Sequence, residues 1–151
     1  MGVFEACVAT MLCAKLFHSG DAKGLGRTMI ETLFVLDAES RLWRRPDLAF
    51  VSFQRWSKNS KMPRTEAWDV VPDLAVEVIN RSITDEKILG KIGEYFQAGV
   101  LLVWVIYPSE EQMYVYHSPT QAKILTLQDE IDGENIVPEF RMPLAKLFEV
   151  S

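Results

Sequence analysis

The chain has 151 residues, a length that predicts one compact domain and excludes a second full one. Hydrophobic residues make up 48% and charged residues 25%, which excludes a disordered or low-complexity chain. Lys and Arg number 16 against 21 Asp and Glu, a net charge of −5, so binding to nucleic acid through bulk positive charge is excluded and any phosphate contact must come from a local basic patch.

Cys7 and Cys13 share one apolar stretch with no secretory leader ahead of it, which predicts free thiols and a cytoplasmic protein. The longest strongly apolar run, residues 101–107, is far short of the roughly 20 residues that span a bilayer, so no membrane segment is expected. Two cysteines in one helix and the distant His18 and His117 cannot supply zinc-ligand spacing. Gly24 and Gly26 lack the third glycine and the Lys-Ser/Thr of a phosphate loop and read as a turn.

In chain order, residues 3–17 put Phe4, Cys7, Val8, Met11 and Leu12 at helical spacing, and Ser19, Gly20 and Gly24 end the pattern. Residues 28–36 read as a strand, 37–40 as a turn and the segment from Asp47 as a second strand, together a predicted hairpin. A polar loop over 57–66 precedes a third strand at 70–79, nearly continuous in apolar residues and entered at Pro72. Thr84 is a candidate N-cap for a helix that carries Ile88, Ile92, Tyr95 and Phe96 on one face and stops at Gly99. Strands then follow in LLVWVIYP, QMYVYH and AKILTLQ, with a further turn at Asp132-Gly133. The strand–helix–strand unit over 73–106 predicts a right-handed parallel crossover, and the whole predicts an α/β fold with a mixed β-sheet flanked by helices.

Alternation along 73–79 puts Glu77 on one face of a strand with Asp73, Ala75 and Ile79. A carboxylate buried there unpaired costs several kcal/mol, so it is neutral, paired with a cation or bound to a metal. Asp47 opens the preceding apolar strand, and neighbouring strands would bring it to Glu77. Two converging carboxylates repel, and a divalent ion that takes oxygen ligands removes the conflict, which favours Mg²⁺ or Mn²⁺. The plainer readings are a structural ion pair for Glu77 and a strand-edge acid for Asp47.

The segments RRPDLAFV, PDLAVEVI, KIGEYFQAGV and LLVWVIYP resemble the Uma-type restriction-endonuclease group within the PD-(D/E)xK nuclease superfamily, and a looser likeness runs the length of the chain. The resemblance implies a restriction-endonuclease-like fold and a Mg²⁺-dependent phosphodiesterase acting on DNA, with Asp47 and Glu77 as the metal-binding acids. The superfamily lysine would stand two places after Glu77, where this chain has Ile79. The superfamily also carries this lysine on the following helix, and Lys91 occupies the matching place, with Lys87 one turn earlier as the understudy. An ordinary exposed helix lysine is the plainer reading of Lys91. The group usually has an acidic N-terminal segment ahead of the first helix, so a chain lacking that segment is expected here.

Arg81 lies near the expected site, where it would bind phosphate or pair with Glu77 or Asp73. Glu5 and Glu31 are weaker candidate acids that solvent exposure explains more simply. Arg55, Lys58, Lys61 and Arg64, interleaved with Trp56 and Trp68, form either a phosphate-tracking surface or a solvated loop. The competing function is a catalytically degenerate interaction module whose apolar strands serve a homodimer.

Overall fold

The computed structural model describes residues 1–80 and 85–149. Its centre is a six-stranded sheet built from β1 (Gly26–Ile30), β4 (Leu48–Ser52), β6 (Leu74–Val78), β7 (Leu102–Tyr107), β8 (Gln112–Ser118) and β9 (Gln121–Leu125), side by side in that order. β6 and β7 are parallel and every other neighbouring pair is antiparallel. The parallel pair is joined by α2 (Asp85–Ala98), because parallel neighbours need a crossover. Gly99, at φ 112°, releases the chain from that helix into β7 through a conformation that side chains with a Cβ avoid.

β6 and β7 are buried at every position, as expected of strands covered on both faces. On one face, Val8, Leu12 and Leu16 of α1 (Val3–Ser19) pack against Leu48, Phe50, Val76 and Trp104. That core is closed by the ribbon of β10 (Glu130–Asp132) with β11 (Arg141–Pro143) and by α3 (Leu144–Phe148). On the other face, Ile88, Ile92 and Tyr95 of α2 meet Ala75, Val103 and Val105. A second sheet joins this layer: β2 (Leu33–Asp37) lies between β3 (Leu42–Arg44) and β5 (Ala67–Trp68), and its Phe34 stacks on Trp68. No helix among the described residues is long and apolar enough to cross a membrane.

The expected hairpin between 28–36 and the strand from Asp47 forms only in its first part, where residues 28–30 pair antiparallel with 48–50. Glu31, at φ 43°, breaks the first segment in two. β1 pairs with β4, Thr28 facing Phe50, whereas β2 turns back on β3. The third strand is also shorter than 70–79, since pairing begins at Leu74. Thr84 lies outside the described residues. The short β3, β5, β10 and β11 and the helix α3 have no counterpart in the sequence reading.

Candidate active site

The β4–β6 register sets Leu48 opposite Val76, and carrying it one residue further brings Asp47 level with Glu77. Asp47 is fixed there by its own carboxylate, whose Oδ2 accepts the Val78 backbone N–H at 2.7 Å. β4 and β6 are the second and third strands of six, so the acids meet at the ends of interior strands. The sheet edge beside β4 is taken by β1, which pairs along it.

Glu77 is 4% exposed and faces α2. Its Oε1 accepts the Tyr95 hydroxyl at 2.7 Å and lies 3.3 Å from the Lys91 ammonium. Lys91 and Tyr95 are four residues apart and therefore share one helix face, which delivers a cation and a donor to one oxygen. Lys87 is exposed and makes no ion pair among the described residues. Arg81 lies outside them.

Burial is the main influence on both acids and raises each carboxyl above its ordinary value. Lys91 pulls both down, Asp47 pushes Glu77 up and Glu31 pushes Asp47 up, while the Val78 N–H lowers Asp47 and the Tyr95 hydroxyl lowers Glu77. Burial and the neighbouring Glu77 hold the Tyr95 phenol far above its ordinary value, so it remains a donor. Two acids that burial keeps from ionising at low cost form a site that an added positive charge would relieve.

Among the described residues, no group of three or more His, Cys, Asp and Glu side chains gathers into a metal cluster. A divalent ion here would rely on Asp47 and Glu77, a donor set that suits Mg²⁺, which binds through one or two carboxylates and keeps several waters. Glu77 Oε2 and Asp47 Oδ1 carry no hydrogen bond from the described residues and are the oxygens open to it.

The other candidates divide clearly. Glu31 borders the site: its N–H donates to the Asp47 carbonyl at 3.1 Å and its charge raises the Asp47 carboxyl. Glu31, Asp47 and Leu48 close one side of an apolar cavity of about 560 Å³ along Ala6, Thr10 and Phe17 of α1. Glu5 is buried in the first turn of α1 and makes no hydrogen bond or ion pair with either acid. Arg55 is spent on structure: its guanidinium donates to the Val71, Pro72 and Gly99 carbonyls and lies 3.3 Å from Asp73. Asp73 in turn accepts the Ser52 N–H and hydroxyl, so it serves the strand junction.

Tyr95 was read from the sequence as part of the apolar stripe of α2, and its polar role was missed. Its place four residues after Lys91 was the available signal. Arg44 was also missed. It pairs with Glu94 at 2.6 Å and ties the small sheet to α2.

A family described as "Putative restriction endonuclease", Uma2, matches residues 2–145. The fold is similar to a crystal structure from Anabaena variabilis entitled a putative nuclease belonging to DUF820, with a TM-score of 0.85 and 13% identity over 98% of this chain and 82% of that one. No curated protein matches the sequence.

Proposed function

The chain belongs to the Uma2 restriction-endonuclease family, and from that premise we propose that it is a Mg²⁺- or Mn²⁺-dependent endonuclease that hydrolyses phosphodiester bonds in DNA. The observation that carries the reading is the meeting of Asp47 and Glu77 at the ends of adjacent strands with Lys91 on the Glu77 carboxylate. Asp47 and Glu77 would hold the ion. When bound, it would lower the pKa of a coordinated water and offset phosphate charge. Lys91 orients the attacking water or stabilises charge developing on the phosphate, and Tyr95 is a positioning residue that fixes the Glu77 carboxylate. We also propose a single domain working in the cytoplasm, a location supported by the free thiols of Cys7 and Cys13.

Nicking of supercoiled plasmid with Mg²⁺ or Mn²⁺, and its loss in EDTA, is the test. No nicking with either ion would leave the second reading, a dimerisation module. That reading is favoured by Val3, Phe4 and Phe17 of α1, which are large, apolar and exposed.

A further inference from the structure

A second cavity, of about 460 Å³, lies on the small sheet and contains none of Asp47, Glu77 and Lys91. Its floor is the outer face of that sheet. Val35 and Trp43 are cross-strand partners and stand on one side, and Ala67 joins them because it pairs with Leu33, two residues before Val35. Its walls come from Trp56, Pro63, Thr65 and the exposed acids Glu66 and Asp69. Trp43 is 43% exposed, so an aromatic ring stands open to solvent in the cavity floor.

Two further observations point to a polar, anionic ligand with a flat ring. The indole N–H of Trp56, a half-buried wall residue, has no hydrogen-bond partner among the described residues. Native structures seldom leave such donors unused. The loop that forms the wall also carries Lys58, Lys61 and Arg64, all exposed and without an ion-pair partner among the described residues. Arg55, the fourth cation of that loop, is held by Asp73.

We infer that this cavity receives one unstacked base of a single-stranded stretch of nucleic acid, stacked on Trp43, while Lys58, Lys61 and Arg64 hold the flanking phosphates. The inference rests on the nuclease reading for the identity of the polymer. Aromatic stacking accepts any base, because every base has a π face. Glu66 and Asp69 add selectivity: they accept hydrogen bonds from exocyclic amino groups, which adenine, cytosine and guanine carry and thymine and uracil lack. The cavity also lies on the side of the large sheet that holds Glu77, since Phe34 and Trp68 share one core with Ile92 and Tyr95 of α2.

Binding is measured by fluorescence anisotropy of short labelled single strands in EDTA, where cleavage does not intervene. Trp43→Ala, at an exposed position that leaves the core intact, is expected to weaken binding about tenfold or more. Replacing Lys58, Lys61 and Arg64 together by alanine is expected to weaken binding and flatten its salt dependence by about two units of slope. Strands of dA or dC are expected to bind more tightly than dT, and parallel DNA and RNA strands identify the sugar. Unchanged affinity in Trp43→Ala, or duplex DNA competing as well as single strands, would overturn the inference. Plasmid cleavage is followed on the same preparations. Binding that depends on Trp43 without any cleavage supports the cavity and removes the nuclease reading, whereas cleavage with Trp43-independent binding does the reverse.

Discussion

The Tyr95 hydroxyl donates to Glu77 Oε1 at 2.7 Å, the oxygen that Lys91 also approaches. Both donors therefore act on one oxygen of the carboxylate and leave Oε2 without a bond from the described residues. The two acids also differ in what holds them. Asp47 is anchored to the backbone of β6 by the Val78 N–H, whereas Glu77 is anchored to side chains of α2. Any displacement of α2 relative to β6 would separate Glu77 from both its partners and leave the Asp47 hydrogen bond to Val78 in place.

Tyr95→Phe keeps the ring that fills the core and deletes the donor to Glu77. A buried acceptor that loses one partner costs about 1–3 kcal/mol, so the variant is expected to melt at lower temperature. For a positioning residue, kcat is expected to fall roughly tenfold while KM for an oligonucleotide stays unchanged, because substrate contacts are intact. Denaturant unfolding and steady-state kinetics check this together. Wild-type kcat in a destabilised variant would give Tyr95 a purely structural role.

Much of the centre of the fold was legible because its signals are strong. The apolar runs of β6 and β7 flank an amphipathic helix ended by a glycine, and they form the parallel crossover expected of them. The edges were not legible. A left-handed Glu31 has no residue-type signature, so 28–36 looked like one strand. β5 contributes two residues and is held by its Trp68 contact with Phe34, a tertiary interaction that no local pattern encodes. In the site, the buried charge of Glu77 stood out in an apolar run and Asp47 opened another. Tyr95 was hidden because its ring belongs to the core and only its hydroxyl serves the carboxylate. Arg55 misled in the opposite direction: it sits in a basic loop but turns inward to three carbonyls and Asp73.

Asp47→Asn and Glu77→Gln each remove one hard anionic ligand without opening a cavity. Each is expected to abolish Mn²⁺ binding in a calorimetric titration while far-UV circular dichroism is unchanged. Unchanged Mn²⁺ affinity in both variants would make the acids structural.

The raised carboxyls of Glu77 and Asp47 fix the sign of a pH effect. In the folded chain both acids keep their protons above the ordinary values of 4.5 and 3.8, so the folded state binds more protons than the unfolded one in that window. Their contribution to stability is therefore greatest below the ordinary values and falls as pH rises toward the raised ones. Glu77→Gln removes part of the fall, so the variant is expected to gain on the metal-free wild type as pH increases. Mg²⁺ should restore the wild type and leave the variant unmoved. Urea unfolding across the acidic to neutral range is the measurement, and a wild type that gains on Glu77→Gln with rising pH would mean that Lys91 outweighs burial.

Lys91→Ala separates metal binding from chemistry. Ile79, two residues after Glu77, brings no charge, so the positive charge reaches the acids from α2, and Lys91 is the helix lysine that touches Glu77 while Lys87 is exposed. On the nuclease reading, removing it takes away a group that acts on transition-state charge, so single-turnover cleavage is expected to fall by about two orders of magnitude or more. Mn²⁺ affinity should hold or rise slightly, because the ammonium competes with a cation for the same carboxylate. Lys87→Ala should cleave at the wild-type rate. A collapse in Lys87→Ala beside normal rates in Lys91→Ala would transfer the role one turn back along the helix. Loss in neither variant would mean that no lysine of α2 takes part in the reaction.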